Sequence, residues 1–281
     1  MGWEAVNGNL IMKTELTTQT LLSTNTLKIW AIIAMACDHI PYITKAIEMQ
    51  YYDCPWYLMH AFGRFTAPIF FYLLALGYRR TRNANRYTLR LLVFAVISYV
   101  PYIWYFEGDA PNIQNFHHLN VIFTMLFGLL LLRSLHEVRY VLIKAVLVIL
   151  CLLCGFWCDY GLYGLAMILI CDIAQRSRHG TVFGMGAAMM VYIFLRITHN
   201  FPNDAGPFEY IIMFSENSRL LHMVIVLLCQ ALPLILIFMH NAWDKERAPE
   251  KRPGPVAKWG FYIFYPAHIT VLLLIRLFAL G

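Results

Sequence analysis

Charged residues are scarce in this chain of 281 residues. Asp, Glu, Lys and Arg together make up 14% of it, whereas about 25% is usual in a soluble globular protein. The low charge and a hydrophobic fraction of 60% exclude an intrinsically disordered chain, which requires the opposite balance. They also argue against an ordinary soluble domain. The 7 cysteines are too few for a small disulfide-stapled fold.

Several familiar signatures are also missing. Residues 1–26 are polar and lack the apolar core and cleavage site of a secretory signal, so we expect a short N-terminal tail. The sequence contains no glycine-rich loop of the kind that cradles phosphate. Cys151, Cys154 and Cys158 fall at helical spacing in an apolar run, where buried thiols are the favoured interpretation. We therefore expect no soluble nucleotide-binding domain and no metal site.

Long apolar runs dominate the rest of the chain. A bilayer crossing takes about 20 mostly apolar residues, and breaker residues or charges bound each run. The pattern predicts an all-α, polytopic membrane helix bundle with about nine transmembrane helices, forming a single domain over residues 27–281. The predicted spans are 27–47, 60–79, 88–106, 119–133, 140–157, 160–176, 182–199, 219–240 and 256–279.

Most of the 22 basic residues fall in every second connection between these spans. The connections 107–118, 158–160 and 200–218 contain acidic residues and no Lys or Arg. Because Lys and Arg are retained on the cytoplasmic side, this distribution predicts a cytoplasmic N-terminus and an external C-terminus. The net charge of +6 is then a consequence of topology, and we expect no nucleic acid partner.

Five basic residues lie toward the external side, where topology does not require them. They are Lys45, Arg64, Arg196, Arg219 and Arg276. An ionisable group inside a span is costly and marks a functional site by default, whereas a group near a span end can extend to the interface. The interface is favoured for Lys45 and Arg276. A functional role is favoured for Arg64, and both interpretations stay open for the other two.

The first span contains a candidate catalytic group. Asp38 and His39 lie past the middle of this apolar stretch. Lys28 precedes His39 by three helical turns, or about 16 Å, so the two residues share one helical face. An imidazole can take and return a proton near physiological pH, which makes His39 a candidate base. Asp38 points about 100° away and is expected to orient a partner on another span. Purely structural roles for all three residues stay open.

With these residues in place, the sequence resembles the TraX-like membrane proteins, which are related to the wider acyltransferase-3 superfamily. The similarity runs from about residue 27 to about residue 275. Lys28 and His39 match the superfamily's spacing of a basic residue, ten intervening residues and a histidine, although Arg is common at the first position. Further matching blocks are Gly63 to Phe70, Gly77 to Asn83, Arg90 with Pro101, Asn120 to Gly128, Asp159 to Gly161 with Gly164, and Phe261 to His268.

The resemblance implies a membrane-embedded acyltransferase. Such an enzyme would use cytoplasmic acetyl-CoA to N- or O-acetylate a cell-surface or exported acceptor, which is a peptide, a glycan or a lipid. The family's named member is linked to N-terminal acetylation of pilin, and the wider superfamily mostly O-acetylates surface glycans. The implied location is the bacterial cytoplasmic (inner) membrane, with multiple passes among membrane lipids.

The resemblance also implies roles for individual residues. His39 is expected to act as the base or to carry the acetyl group, with Asp38 also in the catalytic set. Arg64 is expected to stabilise the developing oxyanion. His268 is expected to be a second proton carrier, with simple packing after a proline kink as the alternative. The CoA phosphates are expected near basic residues, which pair well with phosphate but also suit a purely topological role. These residues are Lys28, Arg79, Arg80, Arg82 and Arg86.

Two other classes of function fit parts of the sequence. A proton-coupled transporter or flippase could use Asp38, His39, Arg64 and His268 as a buried relay, although no inverted repeat is visible. A non-catalytic assembly factor for a surface structure is the third possibility. Binding or consumption of acetyl-CoA separates the enzyme from both.

Overall fold

The computed structural model describes residues 22–44, 55–112, 118–175, 177–199, 228–229, 231–240 and 254–279. Within these ranges all extended regular elements are helical, so the predicted all-α fold is confirmed there. The helices are α1 (Thr24–His39), α2 (Pro55–Gly63), α3 (Thr66–Arg80), α4 (Ala84–Glu107), α5 (Val121–Glu137), α6 (Val141–Phe156), α7 (Gly161–Ile173), α8 (Arg178–His199) and α9 (Pro255–Ala279). Residues 231–238 form a further helical stretch.

Some of the sequence predictions fall on residues that the structure does not describe. Lys45 and Arg219 lie outside the described residues, and so does the side chain of Arg196. Most of the predicted tail over 1–26 and the first half of the predicted span 219–240 also lie outside them.

Local sequence explains where helix α1 begins and where it ends. The Ser23 hydroxyl accepts a hydrogen bond from the Thr26 amide at 3.1 Å and caps the first turn. The α-helix ends at His39, and Ile40–Thr44 continue as a 3₁₀ helix. Pro41 has no N–H to donate to the Cys37 carbonyl, so the α-helical hydrogen-bond pattern cannot continue past this point. Asp38 and His39 therefore lie in the last α-helical turn.

The predicted span 60–79 consists of two helices, α2 and α3, with a break at Arg64 and Phe65. The amides of these two residues bond to carbonyls only three residues back, at 3.3 and 3.4 Å. Pro68 in the first turn of α3 has no N–H to donate to the carbonyl of Arg64, so the helix cannot run straight through. The break places Arg64 at a turn between two helices.

The core is formed where the helices approach closely. Helix α3 packs on α1 and α7, α5 packs on α4, α6 and α7, and α9 packs along α4. A side chain at Gly128 would overlap Ile168, and one at Gly164 would overlap Thr124. Small residues at such positions let membrane helices come together. The largest fully buried side chains include Tyr72, Tyr105, Tyr265, Phe65 and Phe71.

The outer surface of the described helices is strongly apolar. On α6, Leu142 is 78% exposed and Phe156 is 71% exposed, and soluble proteins rarely expose large contiguous patches of this kind. By length and composition, three described helical stretches could cross a membrane: Leu58–Arg80, Ala84–Glu107 and Trp259–Phe278. The apolar helices α6 and α7 are shorter. The protein therefore has the character of a helical membrane protein.

Candidate functional site

Polar side chains gather at two ends of the described bundle. The last turn of α1 meets α2 and α9 at one end, and we call the group Asp38, His39, His60, Arg64 and His268 found there the α1 site. The last turns of α3, α5 and α7 meet at the other end, where we call Arg79, His136 and Asp172 the Asp172 cluster. Helix α3, about 22 Å long, separates the two groups.

A hydrogen bond joins His39 to His268 in the α1 site. His39 Nδ1 lies 2.7 Å from His268 Nε2, and the two ring planes differ by 9°. His268 Nδ1 lies 2.8 Å from the carbonyl oxygen of Phe264, one turn earlier on α9. The structure therefore pairs two of the residues predicted to be catalytic.

The carbonyl of Phe264 determines which nitrogens carry protons. A carbonyl can only accept, so His268 Nδ1 must donate to it. In a neutral His268 the Nε2 atom then accepts, and the donor to it is His39 Nδ1. A neutral His39 consequently holds its lone pair on Nε2. This tautomer is the one needed to remove a proton from a substrate at that atom.

Neighbouring side chains hold the His39 end of α1 in place. The Tyr105 hydroxyl donates to the His39 carbonyl at 2.7 Å. Arg276 donates to the Tyr105 carbonyl at 2.6 Å. The imidazole of His39 also makes an edge contact with the ring of Phe106, with centroids 5.1 Å apart. Arg276, predicted to extend to the interface, is thus tied to the backbone of α4.

Asp38 contacts a partner on another helix, as its helical phase predicts. Its Oδ1 lies 2.7 Å from His60 Nδ1, and both side chains are about 15% exposed. An Arg64 amine donates to His60 Nε2 at 2.8 Å, since a guanidinium can only donate. A neutral His60 therefore carries its proton on Nδ1, beside the carboxylate. His60 therefore lies between a carboxylate and a cation, both of them only partly exposed.

Close packing makes this chain possible. The backbone of Gly63 lies directly against Asp38, and a side chain at Gly63 would overlap the Cα and Cβ of Asp38. Any larger residue must therefore push α1 and α2 apart. Glycine at this position brings the carboxylate and His60 within contact distance.

The turn between α6 and α7 adds Asp159 to the charge balance of the site. The Asp159 amide donates to the Leu119 carbonyl at 2.8 Å, and Gly161 closes the turn with a φ of +49° that favours glycine. Arg64 interacts electrostatically with Asp38 and also with Asp159. The single cation of the α1 site is therefore balanced by two carboxylates.

The Asp172 cluster engages one of the arginines expected to bind phosphate. Arg79 donates to Asp172 Oδ1 and to the Asp172 carbonyl, both at 2.8 Å. His136 Nε2 lies 2.7 Å from Asp172 Oδ2. The Asp172 side chain is 3% exposed and that of Arg79 is 40% exposed. Arg79 therefore joins α3 to α7, with part of its guanidinium still at the surface.

The other residues expected to bind phosphate remain at the same end. Arg80, Arg82 and Arg86 are exposed at or after the end of α3. Lys28 is half-buried in the second turn of α1. The structure brings Arg79 and these residues to one end of the bundle and the predicted catalytic residues to the other, with α1 running between them.

Several residues of the site did not emerge from the sequence as candidates for a role. His60 has no predicted role, although it lies four residues before Arg64, a spacing that makes helical neighbours. Asp159 belongs to a block that carries the family resemblance, but no role was predicted for it, and Asp172 has no local signal because its partner Arg79 lies 93 positions away. Among the described residues, no group of three or more His, Cys, Asp or Glu side chains could hold a metal ion.

Comparisons with known proteins confirm the resemblance to the TraX-like proteins. The family model described as TraX protein matches residues 23–276. The chain is 27% identical over 256 residues to the probable fimbrial assembly protein FimC, serogroup H1, of Dichelobacter nodosus, covering 90% of this chain and 95% of that protein. No solved structure matches the chain.

Proposed function

Since this chain belongs to the TraX family, we propose that it is a membrane-embedded acetyltransferase that transfers acetyl groups from acetyl-CoA to a surface or exported acceptor. The observation that carries the proposal is the chain of hydrogen bonds from the Phe264 carbonyl through His268 to His39. This chain holds a basic nitrogen, His39 Nε2, at the end of an apolar helix.

The proposed reaction uses His39 as a general base. His39 Nε2 takes the proton from the acceptor hydroxyl or amine while the acceptor oxygen or nitrogen attacks the thioester carbonyl. The carbon–sulfur bond then breaks, and the imidazolium returns the proton to the departing CoA thiolate. His268 keeps the proton on His39 Nδ1 throughout. In the alternative route His39 itself carries the acetyl group before the acceptor takes it.

Arg64 is the proposed stabiliser of the oxyanion. Negative charge develops on the carbonyl oxygen when the acceptor attacks, and a fixed cation in a water-poor site stabilises it. His60 accepts from Arg64 and Asp38 contacts His60, which together restrict the guanidinium. In the proposed mechanism Asp38 and His60 position Arg64, and His39 carries out the proton transfer.

For the donor, we propose entry from the end that holds Arg82, Arg86 and Lys28. Arg82 and Arg86 are exposed and offer charge-assisted hydrogen bonds to CoA phosphates. The pantetheine arm then runs beside α1 toward His39, about 16 Å from Lys28 by helical rise. Arg79 contributes only the part of its guanidinium that Asp172 leaves at the surface.

The proposed topology has nine spans, with the N-terminus cytoplasmic and the C-terminus external in a bacterial inner membrane. It is supported by the collection of basic residues at the Asp172 end, and by Glu107, Asp109 and Asp159 at the other end. Single cysteines placed at Arg82 and at Asp109 in a cysteine-free background test it. The topology requires that a membrane-impermeant maleimide added to intact cells label position 109 and spare position 82.

The relative from Dichelobacter nodosus carries the name of a fimbrial assembly protein. We propose an exported fimbrial-type protein as the first acceptor to test, ahead of glycan and lipid acceptors. The experiment incubates the purified protein with acetyl-labelled acetyl-CoA and each acceptor class, and follows the label into product. Transfer to any class supports an acetyltransferase, and the class that is labelled identifies the acceptor.

Transport is the second candidate function, because the same buried groups could relay protons across the membrane. The observation in its favour is the clustering of ionisable groups, with Asp38 Oδ1 2.7 Å from His60 Nδ1 and Arg64 hydrogen-bonded to His60. Equilibrium binding of acetyl-CoA separates the two functions. A carrier of another substrate has no reason to bind acetyl-CoA, and absence of binding would move the assignment to transport.

A further inference from the structure

A groove lies between α5 and α6, well away from the α1 site. Its cavity volume is about 380 Å³ and it is open along one side, which places it within the range of about 300–1,000 Å³ typical of small-molecule pockets. From Phe127 to Val138 it extends eleven residues along α5, about 16 Å by helical rise. The lining residues that matter here are Leu130, Arg133, Glu137, Leu147, Leu150 and Cys154.

The groove is apolar along most of its length and polar at one end. Leu130, Leu147 and Cys154 belong to the apolar part, which suits a hydrocarbon chain. Arg133 and Glu137 lie at the end nearest the α5–α6 loop and pair with each other at 2.9 Å. Arg133 also donates to Thr88 and Asn85, so its guanidinium is already engaged by other groups of the protein.

Two further cations stand beside this polar end. Lys144 lies one turn before Leu147 on α6, and Arg139 lies in the loop between the two helices. Neither side chain has a partner among the described residues. Because Arg133 and Glu137 cancel, the polar end carries a surplus of about two positive charges. An anionic headgroup would neutralise it.

The surroundings of the groove identify the source of such a molecule. Leu150 in the groove lining is 49% exposed, and Val141 and Leu142 on the same helix are about 80% exposed, so the groove lies at the apolar outer surface of the bundle. Juxtamembrane cations attract anionic lipids, and basic pockets between membrane helices hold their headgroups. A lipid from the leaflet at the Asp172 end can enter sideways without leaving the membrane.

We propose that the groove between α5 and α6 is a binding site for one anionic glycerophospholipid. An acyl chain lies along Leu130, Leu147 and Cys154, and the phosphate lies by Lys144 and Arg139. The site is independent of the proposed acetyl transfer, so either can hold without the other. The charge selects the headgroup, and the shape of the groove retains the chain.

The test measures lipid retention by native mass spectrometry. The full chain is purified in a delipidating detergent and supplied with dioleoyl phosphatidylglycerol or dioleoyl phosphatidylcholine. The wild type is expected to retain one phosphatidylglycerol and to lose phosphatidylcholine. Removing both cations in Lys144→Gln/Arg139→Gln is expected to weaken retention about fivefold for each cation. Arg178→Gln removes a basic residue at the start of α8, outside the groove lining, and is expected to leave lipid retention unchanged.

A second pair of variants tests the groove by shape. Leu150→Trp fills the groove from its rim, where Leu150 is 49% exposed, and Leu153→Trp adds the same bulk at a 58% exposed position outside the lining. Phosphatidylglycerol should raise the melting temperature of the wild type and of Leu153→Trp, and leave Leu150→Trp unchanged. Equal retention of both lipids by the wild type, or full retention by Leu150→Trp or by the charge variant, overturns the proposal.

Discussion

His39 Nδ1 lies 2.7 Å from His268 Nε2, across 229 positions of sequence. This contact joins the last α-helical turn of α1 to the middle of α9. Because the Phe264 carbonyl holds the proton of His268 on Nδ1, the contact also determines that His39 presents Nε2 as a base. The proposed catalytic power of His39 therefore depends on a residue in the last described helix.

Replacing His268 tests this dependence directly. His268→Phe removes the acceptor for His39 Nδ1–H and is expected to reduce kcat for acetyl transfer about 10²-fold, within the range that general base catalysis supplies. His268→Gln keeps an acceptor oxygen and should retain more activity than Phe. Steady-state rates in nanodiscs give the comparison. His179→Phe, at an exposed histidine on α8, is the control, and equal losses in Phe and Gln would contradict an acceptor role.

The contact between Gly63 and Asp38 makes a prediction about stability. Gly63→Ala is expected to lower stability by about 1–3 kcal/mol, the usual cost of overpacking, because the new side chain overlaps Asp38. Gly260→Ala is the matched control, since no atom of the described residues lies within 4 Å of the added carbon. It should be neutral or stabilising, as alanine favours helix. The melting temperatures of the two variants in detergent test this prediction. Equal values would rule out the close approach between Gly63 and Asp38.

The Asp172 cluster is predicted to stabilise the fold. Arg79→Leu leaves the buried Asp172 with one partner and is expected to cost about 1–3 kcal/mol, reduced from the cost of a fully buried pair because solvent screens Arg79. The double variant Arg79→Leu/Asp172→Leu should recover at least half of that loss, because no buried charge remains. Arg82→Leu should leave the melting temperature unchanged. Additive losses in the double variant would show that the two residues do not act as a pair.

The exposed arginines are predicted to act on acetyl-CoA binding and not on stability. Arg82→Gln/Arg86→Gln is expected to raise KM for acetyl-CoA about tenfold, in line with the loss of charged hydrogen bonds, with kcat unchanged. Such a pattern indicates lost binding that is equal in the ground and transition states. Arg178→Gln, a basic residue outside the proposed site, is the control. An unchanged KM would assign the two arginines to topology alone.

Much of the fold follows from local sequence, and the exceptions have local causes. The apolar run over 140–157 is predicted to form one span. It is observed as the single helix α6, Val141–Phe156. The predicted span 60–79 is broken because Pro68 removes one hydrogen bond, which hydropathy does not register. Hydropathy also cannot say which helices become neighbours.

The candidate site likewise contains features that local sequence predicts and features that it does not. The eleven-residue spacing of Lys28 and His39 predicts a shared helical face, and both residues do lie on the one helix α1. The pairing of His39 with His268 could not be predicted, since it depends on α9 packing against α1. For Arg79, the local sequence suggests one role and the fold adds another that the local sequence does not show. It lies in a basic run that suggests phosphate binding, and its partner Asp172 comes from a helix 93 positions away.

The central claim is that His39 is the base of an acetyl transfer reaction. The most direct measurement is acetyl-CoA consumption by the purified protein in nanodiscs, in the presence of acceptor, for the wild type, His39→Ala and His179→Ala. The account predicts CoA release by the wild type and by His179→Ala, and a loss of about 10²–10⁴-fold in His39→Ala. Undiminished CoA release and acceptor labelling by a folded His39→Ala protein would contradict it.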